Sequence, residues 1–435
     1  MKIAVIGTGY IGLVTGACLA KLGHQVICVD RDEAKIDLMR AGQSPIYEPG
    51  LSELMQECIA NDALHFTSDT AAATKSSEAI FIAVGTPTAE DGSHADLSHI
   101  FGAAREVAAG IDSFKVVVVK STVPAGTGRR VEQEIKTTNP SAEFEMASNP
   151  EFLREGTAIF DFMNPDRIIV GVNGPRARAV MDSIYVPLTE RQCPLFHVSL
   201  ESAEIIKYAS NAFLATKISF INEMATLCEA LGANVLDVAK GMGADGRIGP
   251  KFLNPGPGFG GSCFPKDTRA LVALATDSGV ELQITKAVIS SNEAVKHRMV
   301  EKIVTLVGGN LLGKTICVFG VTFKADTDDI RDAPSLTIVP ALQVQGATVR
   351  IVDPKGAVNG RLVLPGVFWF DDPYEAAKLS DAIVVLTEWR QFRILDLRRI
   401  ATSMRHARIA DLRNLFKPLE LKTAGFESFT HIGIG

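Results

Sequence analysis

The chain has no C-x-x-C pair, no run of like charge, no basic face and no apolar run long enough to span a bilayer. Each absence removes a class of function. The seven cysteines, Cys18, Cys28, Cys58, Cys193, Cys228, Cys263 and Cys317, are odd in number and lack metal-ligand spacing. Neither a disulfide framework nor a zinc site is expected, and no metal is assigned. The net charge is −6, so nothing argues for a nucleic-acid partner. A membrane span needs about 20 apolar residues in succession, so no membrane partner is expected either. A secretory signal would need a charged region, an apolar region and a small-residue cleavage site. Lys2 to Ile6 instead reads as a strand running into a glycine turn. A soluble, cytoplasmic chain is the expectation.

What is present is size and a repeating order of elements. The chain has 435 residues, 46% of them apolar, which exceeds one ordinary core. Gly, Pro and charged residues lie near globular averages, against extensive disorder. Short apolar runs recur at 3–6, 79–84, 116–119 and 168–170, with helical patterns between them. Such runs suit parallel strands buried on both faces of a doubly wound sheet. From about Ser199 to Leu231 the spacing changes to three and four residues, which predicts one long helix, apolar on more than one face. Helices of that kind join domains or form an oligomer core. A second helical stretch is expected from about Thr268 to Val307. The opening pattern then returns: Lys314 to Gly320 resembles Lys2 to Gly7, and Ala347 to Asp353 resembles residues up to Asp30. The expected fold is α/β, with two Rossmann-like domains joined by a long central helix and a helical dimerisation region. The expected segments are 1–198, 199–308 and 309–435.

Gly7-x-Gly9-x-x-Gly12 follows the first strand and opens a helix, and Asp30 ends the next strand. This is the dinucleotide fingerprint: glycines admit the pyrophosphate to a helix N-terminus, and the carboxylate takes the ribose hydroxyls. Asp30 would repel a 2′-phosphate, so NAD is favoured over NADP, although Arg31 weakens that preference. Packing alone could also require such a turn. Two further loops, Val84 to Thr88 and Lys120 to Pro124, follow strand ends and offer hydroxyls.

The segment Pro255 to Asp267 is dense in glycine around Cys263. Glycines there allow close approach of backbone to a ligand, and Pro265 suits a first helical turn. A thiol at a helix start, with Lys266 nearby, favours the nucleophilic thiolate. Asp267 stands one helical turn further on. A buried structural cysteine is the competing reading. Lys207 and Asn211, four residues apart, share a face of the long helix. That face is otherwise apolar, so Lys207 needs a partner unless it snorkels to the helix edge. Asn149 to Glu155 carries two carboxylates one turn apart, or a solvated helix start. Phe323 to Arg331 carries a lysine and an arginine suited to phosphates, or a plain charged loop.

These motifs together resemble the UDP-glucose/GDP-mannose dehydrogenase family. They are Gly-Tyr-Ile-Gly-Leu at 9–13, Gly-Thr-Pro-Thr at 85–88, Ser-Thr-Val-Pro at 121–124, Asn-Pro-Glu-Phe-Leu at 149–153, Lys207 to Asn211, the cysteine motif at 258–267 and Phe-Lys-x-Asp-Thr at 323–327. The cysteine motif looks like the UDP-glucose branch. The resemblance implies a four-electron, two-NAD oxidation of UDP-glucose to UDP-glucuronate, through a thiohemiacetal and a thioester on Cys263. It implies oxyanion stabilisation by Lys207 and Asn211, positioning of a water or proton acceptor by Asp267 and Thr122, and Glu151 as the hydrolytic base. It implies NAD contacts from Gly7, Gly9, Ile11, Gly12, Asp30, Lys35, Thr86, Thr122, Glu155, Lys266 and Arg331. It implies UDP-sugar contacts from Glu151, Phe152, Leu153, Arg154, Glu155, Lys207, Asn211, Phe252, Leu253, Asn254, Pro255, Gly256, Gly260, Lys324 and Arg413. Arg247 would reach a neighbouring subunit's substrate across a homodimer built on the long helix. The competing expectations are a dehydrogenase of another nucleotide sugar and a single-step β-hydroxyacid-type dehydrogenase, which has no use for the cysteine.

Overall fold

The computed structural model describes residues 1–89 and 94–435, and among these the apolar runs become strands of two sheets, one in each of two units. One unit is Met1–Ser210 with Ala273–Gly279; the other is Asn211–Val272 with Val280–Gly435. In the first lie β1 (Lys2–Ile6), β2 (Gln25–Val29), β3 (Leu64–Thr67), β4 (Ala79–Ile82), β5 (Lys115–Val119), β6 (Phe144–Ser148), β7 (Ile168–Val172) and β8 (Leu195–Val198). Their order is β3-β2-β1-β4-β5-β6-β7-β8. Ile3 pairs with Val26 on one side and with Ala79 on the other, both in parallel register. The order reverses between β1 and β4, and the carboxyl ends flanking such a reversal are where open α/β sheets take ligands.

Burial explains the run-like sequence of these strands. Ile3, Val5, Ala79, Phe81, Val116 and Val118 belong to one core, while Ala4, Ile6, Ile80, Ile82, Val117 and Val119 belong to another on the opposite face. A strand covered on both faces has no polar side to show. The run at 168–170 departs from the parallel expectation. It belongs to β7, which pairs antiparallel with β6, Ala147 facing Val172. An apolar run is the same in either direction, so the sequence could not reveal this.

The second unit holds β9 (Thr315–Phe319), β10 (Thr348–Val352), β11 (Phe368–Trp369), β12 (Ala382–Val385), β13 (Arg408–Asp411) and β14 (Ser428–His431), ordered β11-β10-β9-β12-β13-β14. That is the order of the first six strands of the other sheet. The likeness extends to single bonds. The Gly7 N–H donates to the Val29 carbonyl at 2.7 Å, and the Gly320 N–H donates to the Val352 carbonyl at 2.9 Å. The Thr8 N–H donates to Asp30, and the Val321 N–H donates to Asp353.

The long helix spans Leu200–Leu231, close to its expected bounds. Phe213, Phe220 and Leu227, spaced by seven, expose 66%, 41% and 49% of their surface and form an apolar stripe along it. The stretch expected from Thr268 to Val307 is two helices, Phe264–Asp277 and Gln283–Leu306. Gly279 separates them at φ +71°, a left-handed turn that glycine adopts without penalty and that ends helices. Among the described residues no helix is long and apolar enough to cross a membrane.

Phe81 is fully buried at the centre of the first sheet. Phe81→Ala should destabilise the chain by about 3–5 kcal/mol, whereas Phe368→Ala, at an exposed edge, should change stability by less than about 1 kcal/mol. Denaturant unfolding of the two variants checks the contrast.

Candidate functional site

The glycine turn after β1 is shaped by packing at two positions and left open at a third. A Cβ at Gly7 would meet the Ala83 carbonyl at 2.9 Å, and one at Gly12 would strike the Gly7 carbonyl, but one at Gly9 would meet nothing within 4 Å. Gly9 immediately precedes the helix Tyr10–Lys21, which holds Ile11 in its first turn. Asp30 accepts from the Thr8 N–H at 3.0 Å, the Thr8 hydroxyl at 2.6 Å and the Asp32 N–H at 3.1 Å. Burial pushes its carboxyl up, but these bonds and the nearby Lys35 charge outweigh that and hold it below the usual range. A carboxylate offers about four acceptor directions, so one remains for a ribose hydroxyl. The open space at Gly9 and the ionised Asp30 suit NAD. Arg31 forms an ion pair with Glu106. The two loops beyond β4 and β5 are tied together: the Thr86 hydroxyl donates to the Thr122 carbonyl at 3.0 Å, and the Ser121 hydroxyl to the Val84 carbonyl at 2.7 Å.

Past β6, residues 149–155 form no helix, contrary to one expectation; the next helix is Ala158–Met163. Pro150 and a buried Glu151 account for this. Glu151 is 4% exposed and pairs with Lys207, itself 3% exposed, at 3.0 Å. Its second oxygen accepts the Leu153 N–H at 2.5 Å. Lys207 therefore does not snorkel. The Phe152 ring lies between Lys207, 5.4 Å from its centroid, and Arg167, at 4.0 Å. The carboxylate of Glu155 is not part of this pair, and Arg154 is held by Asp161 at 2.6 Å. Sequence reasoning named Lys120 only as the start of its loop and gave it no role. It is 4% exposed, and its ammonium donates to Asn149 Oδ1 at 3.0 Å. A lysine directly after four valines at a strand end was the available signal. It also passed over Glu204, whose buried carboxylate accepts the Gly126 and Gly128 N–H groups at 2.7 Å each.

In the second unit Cys263 is half-buried and immediately precedes the helix Phe264–Asp277, its carbonyl accepting the Asp267 N–H at 2.8 Å. Asp267 is 1% exposed. It accepts from Asn211 at 2.6 Å and from Lys266 at 2.7 Å. The glycines of the loop answer mainly to the protein's own packing. A Cβ at Gly260 would meet the Asp332 carbonyl at 2.5 Å, and one at Gly261 the Phe323 ring at 2.9 Å. Asn222 accepts the Gly256 N–H at 2.9 Å, and Asn292 brackets Phe259 through its N–H at 2.8 Å and carbonyl at 3.1 Å. Neither asparagine was anticipated. The Arg413 guanidinium would lie 3.2 Å from a Cβ on Gly256 and donates to the Phe323 carbonyl at 2.8 Å. That brings Arg413, Gly256 and the Phe323–Lys324 segment together.

Other expected residues differ in burial and partners. Leu253 lies in the second unit's core, 2% exposed, so only its backbone can face a ligand. Asn254 is exposed and Pro255 buried beside it, and the Phe252 ring meets that of Phe264 at 6.1 Å. Arg331 is paired with the buried Asp329 at 2.7 Å. Arg247 is paired with Asp245 and keeps 90% of its side chain exposed.

A Rossmann-type sheet with an open glycine turn, a second sheet of the same order and a thiol at a helix start define a dinucleotide-dependent dehydrogenase. Residues 1–189 match the NAD binding domain of the UDP-glucose/GDP-mannose dehydrogenase family, 201–294 its central domain and 317–418 its UDP binding domain. The chain is 51% identical over 428 residues to a UDP-glucose 6-dehydrogenase of Rhizobium meliloti, covering 98% of each. It is 45% identical to the UDP-glucose 6-dehydrogenase TuaD of Bacillus subtilis, covering 98% of this chain and 92% of that one. The solved structure of a UDP-glucose dehydrogenase from Pyrobaculum islandicum superposes with a TM-score of 0.93 at 36% identity, covering 100% of this chain and 98% of that one. The chain belongs to the UDP-glucose/GDP-mannose dehydrogenase family.

Glu151→Ala would deprive a buried ammonium of this carboxylate and should cost about 3–5 kcal/mol of stability. Replacing both partners, with Leu at 151 and Met at 207, should recover most of that loss, since an apolar pair of similar volume often matches a buried ion pair. Thermal denaturation of the single and double variants measures both.

Proposed function

We propose that the chain oxidises UDP-glucose to UDP-glucuronate with two NAD, holding the intermediate on Cys263. The observation that carries this is the thiol at a helix start, one turn from an Asp267 fixed by both Asn211 and Lys266. The matched NAD and UDP binding domains and the named relatives support the cofactor and the substrate class.

NAD, held at the open Gly9 turn and by Asp30, would supply the hydride acceptor for both oxidations at C6 of the sugar. In the first, the C6 hydroxyl loses its proton to a water held by Asp267 and Thr122, leaving an aldehyde. The Cys263 sulfur then forms a bond to C6, and the resulting oxyanion is stabilised by Lys207 and Asn211 and takes up a proton. Loss of that proton and of a second hydride gives a thioester. Glu151 takes a proton from water, whose oxygen adds to the thioester carbon; the C–S bond breaks and the thiolate returns. One alcohol, two NAD and one water yield one carboxylate, two NADH and three protons. A two-step oxidation needs such a covalent hold, because a released aldehyde would escape the second step.

The working segments in this reading are 1–198 for NAD, 199–308 for the dimer and the cysteine, and 309–435 for UDP. A cytoplasmic homodimer would cover the stripe of Phe213, Phe220 and Leu227, and exposed Arg247 would reach the partner's substrate.

Titrating the protein with UDP-glucose and excess NAD should give two NADH per sugar; one NADH with aldehyde accumulating would refute the scheme. Cys263→Ser should abolish uronate formation while leaving the NAD Kd unchanged. Asp30→Ala should raise the NAD Kd about 10- to 100-fold, the worth of a hydrogen bond to a charged group. Calorimetric titration with NAD reads both variants.

A further inference from the structure

The corner where β2 ends carries an arginine for which the scheme above has no task. Arg31 directly follows Asp30, and in Rossmann-type sheets an arginine near that position accommodates the 2′-phosphate of NADP. It keeps 68% of its side chain exposed, so a phosphate could reach it. Its guanidinium is instead committed to Glu106, 75 residues away on the helix Ser98–Gly110. Two features hold that pairing in place. A Cβ at Gly102, one turn before Glu106, would lie 3.3 Å from Arg31 Nη2, so the glycine leaves the guanidinium room along the helix. The second Glu106 oxygen accepts the hydroxyl of Thr70, itself 7% exposed, at 2.9 Å, which anchors the carboxylate independently of the arginine. The other acidic groups at this corner have partners of their own. Ser68 donates to Glu33, and Asp32 accepts the Ala34 N–H at 3.0 Å.

A 2′-phosphate brings about 1.5 to 2 negative charges at neutral pH where NAD has a hydroxyl. Asp30 repels such a group. A free Arg31 would offset that repulsion and offer a forked donor suited to phosphate. With Glu106 bound to it, the guanidinium is neutralised and its fork occupied. Discrimination of this kind acts against the wrong ligand without touching the right one. We propose that Glu106 is a specificity-determining residue for the cofactor: anchored by Thr70 and paired with Arg31, it withholds the arginine from a 2′-phosphate and so keeps the enzyme on NAD. This rests on Asp30 holding the adenosine ribose, as described above. An exposed ion pair contributes little to stability, so the pairing is assigned to cofactor choice rather than to the fold.

The test is calorimetric titration with NAD and with NADP, at low ionic strength where exposed charges are least screened. The proteins are wild type, Glu106→Gln, Arg31→Ala, the double variant Glu106→Gln/Arg31→Ala, and Asp30→Ala. Glutamine at 106 keeps an acceptor for Thr70 and removes the charge. The NADP Kd should fall about tenfold in Glu106→Gln, the lower end of what a hydrogen bond to a charged group is worth. The NAD Kd should stay near wild type, and kcat/KM for NADP with UDP-glucose should rise by the same factor as its affinity. Glu106→Ala should show the same gain and stands in if the glutamine variant does not fold. Arg31→Ala should leave both Kd values near wild type, because its guanidinium is already occupied, and the double variant should lose the gain. An unchanged NADP Kd in Glu106→Gln would overturn the proposal. So would a gain that survives in the double variant, since Glu106 would then act by its own charge rather than through Arg31. Asp30→Ala separates this from its premise. A wild-type NAD Kd there would remove the ribose from Asp30; a weakened Asp30→Ala beside an unchanged Glu106→Gln would remove only the role of Glu106.

Discussion

A parallel strand covered on both faces can place polar chemistry only at its ends. Ile3 to Ile6, Ile80 to Ile82 and Val116 to Val119 alternate between two dry cores, leaving no side chain on those stretches for a ligand. The groups available for chemistry gather where the strands stop. Gly7 follows β1, Asp30 follows β2, Thr86 stands beyond β4, Lys120 to Thr122 follow β5, and Asn149 to Glu151 follow β6. The second sheet obeys the same rule, with Gly320 after β9, Asp353 after β10 and Arg413 two residues beyond β13. Burial of the sheet thus fixes the location of the site before any particular residue is chosen.

The shared plan of the two sheets does not duplicate the dinucleotide turn. Asp30 keeps an acceptor direction open. Its counterpart Asp353 accepts from Val321 at 2.6 Å, Thr322 at 3.2 Å, Lys355 at 2.9 Å and Gly356 at 2.6 Å through their N–H groups, and faces the Trp389 indole at 3.4 Å. Where the first turn has Gly9 and Gly12, the second has Thr322 and Ala325. The repeat has the same backbone bond from glycine to strand but carries side chains at the two positions that are glycine in the first turn. That division suits one half binding NAD and the other a different nucleotide.

The elements that were legible in the sequence are those whose signal is local. The glycine turn with Asp30, the doubled order of strands, the long helix and Cys263 at a helix start all depend on spacing within a few residues. What was hidden depends on partners far apart in the chain. Glu151 lies 56 residues from Lys207, and Asn211 lies 56 from Asp267. Spacing could say that Lys207 needs a partner but not which carboxylate supplies it. The break at Gly279 was masked by apolar periodicity continuing on both sides. The glycines around Cys263 were visible, but not the protein groups they also clear: the Asp332 carbonyl at Gly260 and the Phe323 ring at Gly261. Such a cause exists only once residues 323–332 are folded against the loop.

That packing also explains how a glycine-rich loop can hold a reactive group still. Glycine loses more conformational freedom on folding than any other residue, and a run of it would leave a thiol poorly placed. Here the freedom is removed from outside the loop, by Asn222 on Gly256, Asn292 on Phe259 and the Arg331 carbonyl on Gly261 at 2.7 Å. Several residues nearby adopt left-handed backbone without being glycine: Phe252 at φ +65°, Asp326 at +62°, Asp332 at +49° and Asn414 at +51°. Each such conformation costs on the order of 1 kcal/mol or more and persists only where its surroundings enforce it. All four flank segments that touch the cysteine loop or Arg413. Four of the seven non-glycine residues in left-handed backbone among the described residues therefore flank this loop or Arg413, and the buried amide contacts hold the loop in place.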